Sequence, residues 1–355
     1  MGRFLWQLFA AALLFFCAGL GWQVYQHYRN EERLASSNPL RVLCPENWLS
    51  QTALEAFSRA HSVRIDQYTY SQPSEFLRQM ANADGKIDVI CTSSLLVKSL
   101  VHNHWLRQMN FAGLSNAKSL AIDFTHLPYD PNSEYTAPLF WTLYGFFGKE
   151  ATPRVTTWKS IWDSKKVSLW ADELNVLYMM GRLELNANER ILEDERTEAI
   201  GSEFKKFAKS TIQFLKPQAQ PGFDAALGQS DGLLVPLARV AKLLGDKSDY
   251  HFWLPEDGAT MEVGVLAVGE KAAQPDLALQ LINDMIATPE ALATHERMDA
   301  GVVHATLSGS PEVDSLEKPE ALRRFPLNRL RFPDLSIDEL PHFHKVFDET
   351  TAYSE

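Results

Sequence analysis

Hydrophobic positions fall into two regimes along the chain. The first is continuous. From Phe4 to about Val24 the run is apolar, broken only by Gln7 and Gln23. At about 1.5 Å per residue it spans roughly 30 Å, the depth of bilayer hydrocarbon. Arg3 precedes the run, while Arg29, Glu31, Glu32 and Arg33 follow it and nearly cancel. The positive-inside bias then puts the N-terminus in the cytoplasm and the rest of the chain outside. Gly19-Leu20-Gly21 is the best match to a cleavage site, and Phe16 stands before Cys17 where lipoprotein processing wants a small residue. Residues 1–35 therefore read as a membrane anchor or a signal peptide, followed by a linker.

The second regime, from Asn38 onward, alternates short strand-like runs with helical periodicity. Leu40 to Cys44 reads as a strand, with Ser50 capping a helix over Gln51–Ala60. Val63 to Tyr70 is β-branched and aromatic, Ser74 opens a helix, and Ile87 to Cys91 is a third strand with a helix from about Ser94. This β-α-β-α-β-α order predicts a mostly parallel sheet covered by helices. Tyr135 to Phe147 is a long extended stretch interrupted at Pro138. Further strands are expected at 167–170, 232–235, 251–254 and 262–268, and helices at 174–185, 198–215 and 276–286, the last stopped by Thr288-Pro289. The proline-bearing tail after Ser308 is expected to wrap the surface.

Composition narrows the function. The 355 residues are 45% hydrophobic and 22% charged, a globular mix with a sizeable core. Thirty-four basic against 45 acidic residues give a net charge of −11, which argues against nucleic acid as a partner. Three cysteines exclude a disulfide-rich scaffold. Gly228-Gln229-Ser230-Asp231-Gly232 fits a nucleophile-elbow pattern, but it follows a helix and opens a strand, the reverse of what an elbow needs. Ser115-Asn116-Ala117-Lys118 lacks the companion motifs of a Ser-x-x-Lys enzyme. The pairs His102/His104 and His342/His344 have nothing in the sequence to complete a metal site. No enzyme, metal or cofactor is expected.

Four segments carry a family resemblance. These are Leu40 to Phe57, Ile87-Asp88-Val89-Ile90 with Ser93, Val155 to Trp162 (Val-Thr-Thr-Trp-Lys-Ser-Ile-Trp), and Ala278 to Ala291 with its Thr-Pro-Glu. In this order they resemble the periplasmic spermidine/putrescine-binding proteins of ABC importers. The resemblance implies an α/β, two-lobed periplasmic-binding-protein-like (type II) fold, preceded here by the N-terminal transmembrane or signal helix. Residues 36–137 plus 263–355 would form lobe 1 and 138–262 lobe 2, with crossing strands near Pro138–Tyr144 and Glu262–Val265. It further implies a small polyamine-like ligand held between the lobes by hinge closure, an ABC permease as partner, and a periplasmic location, tethered if residues 4–24 remain.

Ligands of open α/β sheets sit at the carboxyl ends of strands. An ammonium wants carboxylates and aromatic faces. The candidates are Glu46, Asn47 and Trp48 after the first strand, Ser93 and Ser94 after the third, Trp141 and Tyr144 on the crossing, Asp172 and Asn175 in the second lobe, and Glu262 on the return crossing. Trp48, Ser93 and Asp172 match the family's aromatic, serine and carboxylate. Elsewhere the chain departs from it. Pro45, Leu95, Val235 and Val302 stand where the family has aromatics, Asn175 replaces a carboxylate, Glu262 an aromatic, and Gly264 the aspartate that grips an amine. A sensor or scaffold of the same fold, with a different ligand or none, is the alternative. Cys44 and Cys91 end neighbouring parallel strands, either as a disulfide or as two buried thiols.

Overall fold

A computed structural model of the chain describes residues 38–148, 258–298, 301–307, 330–332 and most of 334–351, together with strand segments 167–170, 212–215, 232–236 and 251–254 and a few single positions. The first region follows the expected alternation: β1 (Leu40–Pro45), α1 (Gln51–His61), β2 (Ile65–Tyr70), α2 (Phe76–Asn82), β3 (Val89–Ser93) and α3 (Ser94–His102). Serines set two of the helix starts. Ser50 Oγ accepts from the Ala53 amide at 3.3 Å, and Ser93 Oγ accepts from the Leu95 amide at 3.3 Å, each satisfying an amide the helix leaves unpaired. β1 lies between β2 and β3, parallel to both.

Two long strands organise the rest. β5 (Thr136–Gly148) and β10 (Ala259–Gly269) are buried along their whole lengths and pair antiparallel. β4 (Leu106–Arg107) joins β10, and β6 (Val167–Trp170), β7 (Ile212–Leu215), β8 (Gly232–Pro236) and β9 (His251–Trp253) lie beyond β5. The strand order is β2-β1-β3-β10-β5-β8-β6-β7. A parallel group, β2-β1-β3, thus reaches a second parallel group, β8-β6-β7, only across the β10/β5 pair. After β10 come α4 (Pro275–Met285) and α5 (Thr288–Met298), then β11 (Leu330–Arg331) and α6 (Leu340–Thr351). The described part of the tail packs on the body. β11 pairs with Ala259–Thr260, and the Leu335 and Ile337 amides donate to Leu95 O and Ser99 Oγ on α3 at 3.0 and 2.9 Å.

Buried acids hold the frame. Asp88, 1% exposed, accepts from the Arg41 and Gln274 amides, both at 2.8 Å, and so ties β1 to the start of α4. Asp130 launches β5. Its carboxylate takes the Glu134, Tyr135 and Thr136 amides and the Thr136 hydroxyl at 2.8–3.0 Å. Removing such an acceptor strands several buried donors, so Asp130→Ala should cost about 2–4 kcal/mol. A fall in the urea unfolding midpoint with an unchanged slope would register it.

Three sequence expectations need correction. Residues 212–215 form β7 and not the end of a helix, because Ile212-Gln213-Phe214-Leu215 pairs in parallel with β6. Thr288-Pro289 opens α5 and stops nothing; proline is well suited to a helix's first turn, and α4 has already closed at Met285. Pro138 does not break β5. The sheet absorbs it as a register shift opposite Gly264/Val265. The apolar run over 4–24, apart from Gly19 and Trp22, the helices expected at 174–185 and 198–211, and most of 155–162 lie outside the described residues. Among the described residues no helix is long and apolar enough to cross a membrane.

Candidate functional site

Side chains alternate between faces along a strand, and directly opposed residues share a face. On the β5/β10 pair, Gly264 opposes Phe140, Glu262 opposes Thr142, and Thr260 opposes Tyr144. These six positions form one stripe. Ser93 opposes Gly264 from the other side of β10 and continues the stripe to the carboxyl tip of β3. Trp48, just past the tip of β1, packs edge-on against Phe140, with ring centroids 4.7 Å apart. The structure therefore brings together Trp48, Ser93, Tyr144 and Glu262, where the two parallel strand groups meet.

Glu262 is the centre of this set. It is 3% exposed and accepts from the Tyr144 hydroxyl at 2.9 Å. Burial pushes its carboxyl above the ordinary value, while hydrogen bonds from Ser93 and Tyr144 pull the other way. Among the described residues no cation pairs with it. The hydroxyl of Thr142, directly across the ladder, is buried and has no hydrogen-bond partner among the described residues. A buried carboxylate with no counter-ion among the described residues, beside an unused hydroxyl and three aromatic rings, is suited to receive an ammonium.

The remaining candidates divide. Glu46 and Asn47 are exposed on the loop after β1, next to Trp48. Ser94 spends its hydroxyl on the Val263 amide at 3.1 Å, which fixes β10 against α3. Trp141 was expected on the ligand side and is not there. It opposes Val263 on the reverse face, is 1% exposed, and donates from Nε1 to Val302 O at 3.0 Å. Trp141 and Tyr144 are three residues apart, and in a strand an odd spacing sends two side chains to opposite faces. Asp172 and Asn175 lie outside the described residues.

Three members of the stripe, Phe140, Thr142 and Thr260, were missed. Counting back from Tyr144 by twos gives Thr142 and Phe140, so the period of the strand already named them. Gly264 has a role the sequence did not disclose. A Cβ added there would sit 2.3 Å from the Phe140 ring, so an aromatic ring already fills the place a side chain would take. Cys44 and Cys91 are both buried free thiols, and the disulfide alternative is set aside. Their strands pair with Val42 opposite Val89 and Leu43 opposite Ile90, which places the two thiols side by side. Strands about 4.8 Å apart hold opposed Cβ atoms farther from each other than the ~3.8 Å a disulfide favours. Burial, together with the neighbouring Cys91 thiol, pushes the Cys44 thiol up.

Comparison with known proteins bears on this geometry. No family model matches the chain. The spermidine/putrescine-binding periplasmic protein of Escherichia coli K12 is 25% identical over 241 residues, 66% of this chain and 68% of that protein. The chain is similar to the spermidine/putrescine-binding periplasmic proteins over about two thirds of its length. A protein described as a spermidine/putrescine ABC transporter from Listeria monocytogenes superposes with a TM-score of 0.69 at 17% identity, covering 89% of this chain and all of that one. The Tp0655 lipoprotein of Treponema pallidum gives 0.60 at 14% identity, covering 88% of this chain and 99% of the other. At these identities the likeness is one of fold, a mixed α/β fold of the substrate-binding-protein type. The first of these proteins is named for binding spermidine and putrescine, and the second as an ABC transporter of the same solutes.

Proposed function

We propose that the chain is an extracytoplasmic solute-binding protein of an ABC importer. It takes a small amine between two lobes, 36–137 plus 263–355 and 138–262, and hands it to a membrane permease. The observation that carries this reading is Glu262, a buried acid with no cation beside it among the described residues, hydrogen-bonded to Tyr144 at the join of two strand groups. An ammonium would supply the missing charge, and Trp48, Phe140 and Tyr144 would line its methylenes. The stripe residues are each only 3–7% exposed, apart from Thr260 at 1% and the side-chain-free Gly264, so a ligand needs the lobes to part before it can enter. Closure then follows from the ligand's own contacts with both lobes. Asp172 and Asn175 are the contacts proposed from lobe 2. The periplasmic location of relatives and the apolar run over 4–24 support a body facing the periplasm, tethered to the inner membrane.

Calorimetric titration of the full chain in mild detergent, with spermidine, putrescine and simple monoamines, tests the reading. Saturable 1:1 binding by at least one amine is expected. Silence across all of them would overturn it in favour of a second reading, an anchored sensor or scaffold of the same fold. One observation favours that second reading: the Phe140 ring fills the space above Gly264, where the family resemblance expects an amine-gripping aspartate.

A further inference from the structure

We infer that Arg297 is a positioning residue for ligand binding: from α5 it pins the Glu46–Trp48 loop to the crossing strand. Asn47 stands in the left-handed region at φ 65°, a conformation asparagine adopts more readily than most residues. Its carbonyl and the next one both accept from a single guanidinium. Arg297 Nε donates to Asn47 O, and Nη2 donates to Trp48 O at 2.8 Å. The same guanidinium is braced on its own helix, with Nη1 to Ala293 O at 3.2 Å and Nη2 to Thr294 Oγ1 at 3.1 Å.

The far end of this piece holds β5. Beyond α5, Gly301 exchanges backbone hydrogen bonds with Trp141, amide to carbonyl in both directions at 3.0 and 2.8 Å. A Cβ at Gly301 would lie 2.3 Å from the Trp141 ring, so the approach requires glycine. The Trp141 indole then donates to Val302 O. Trp141, unsuited to touch ligand, thereby anchors the strand whose other face carries Phe140, Thr142 and Tyr144. Arg297 sets where Trp48 sits relative to that face. The planar guanidinium reaches both carbonyls while staying braced on its own helix, and lysine keeps the charge but loses that fixed fork.

The test is Arg297→Lys, with Arg297→Gln beside it, in the full chain. Amide hydrogen exchange at Asn47–Leu49 should rise roughly tenfold or more in both variants, with exchange in β1 and β3 unchanged and Tm within roughly 3 °C of wild type. Spermidine affinity should fall roughly tenfold, and this second readout alone rests on the amine-binding reading. Loop exchange that stays at the wild-type rate overturns the inference. So does a uniform rise in exchange accompanied by a large drop in Tm, which would mark Arg297 as a packing residue only. If the wild-type chain binds no amine, the reading above fails while the exchange data still decide the role of Arg297.

Discussion

Glu262→Gln is expected to abolish amine binding and, in the same protein, to raise thermal stability at neutral pH. The first effect follows from charge. Removing one partner of a buried, hydrogen-bonded charge pair costs about 2–5 kcal/mol, so affinity should fall about 30-fold or more. The second follows from the empty state. Without ligand the folded chain carries a buried carboxyl that burial has pushed above its ordinary value of 4.5. A raised carboxyl binds protons in the folded state at pH values where the unfolded chain has already released them. Its favourable contribution is therefore complete below the ordinary value and is lost as pH rises through the folded one. Glutamine keeps an acceptor for the Tyr144 hydroxyl and carries no charge to bury. The advantage of the variant should therefore be absent in acid and grow as pH rises toward neutral. Thermal melts of the amine-free proteins across this range will show diverging curves. Curves that stay parallel from acid to neutral pH would contradict the assignment of Glu262 as a stability-costly binding group.

A second large effect is expected at Gly264. Installing aspartate there forces a Cβ to within 2.3 Å of the Phe140 ring and adds a second buried acid close to Glu262. Overpacking alone costs about 1–3 kcal/mol, and the uncompensated carboxyl adds to it. Phe140→Ala should cost about 3–5 kcal/mol through the cavity it leaves and the lost edge contact with Trp48. The double variant relieves the clash, so its loss should fall short of the sum by at least about 1 kcal/mol. Urea denaturation of the four proteins measures this coupling. Strict additivity would mean that the ring yields freely and that Phe140 does not control access above Gly264.

The parts of the fold that could be read from the residues were those governed by local rules. Ser50 and Ser93 announced two helix starts because each side chain satisfies amides within its own turn. The first three strands were legible because their apolar runs are short and bounded by turns. What failed depended on distant partners. Ile212-Gln213-Phe214-Leu215 became a strand because β6 was available to pair with it. Trp141 was grouped with Tyr144 because both lie on one crossing segment, yet the period of two separates them. Glu262 was legible as an acid on the return crossing, where the family has an aromatic. Its burial and its bond to Tyr144, 118 positions earlier in the chain, were not. Gly264 looked like a simple loss of an acid, and only packing shows that an aromatic ring had taken the space. Arg297 carries no sequence signal at all, since its two loop carbonyls lie about 250 residues away.

The most direct measurement is a crystal structure of the chain with the amine that binds it best. An amine nitrogen is expected about 2.7–3.0 Å from a Glu262 carboxylate oxygen, with the carbon chain lying along Trp48, Phe140 and Tyr144. An amine seated away from the β5/β10 stripe, or one that leaves Glu262 bonded only to Tyr144 and Ser93, would contradict this expectation.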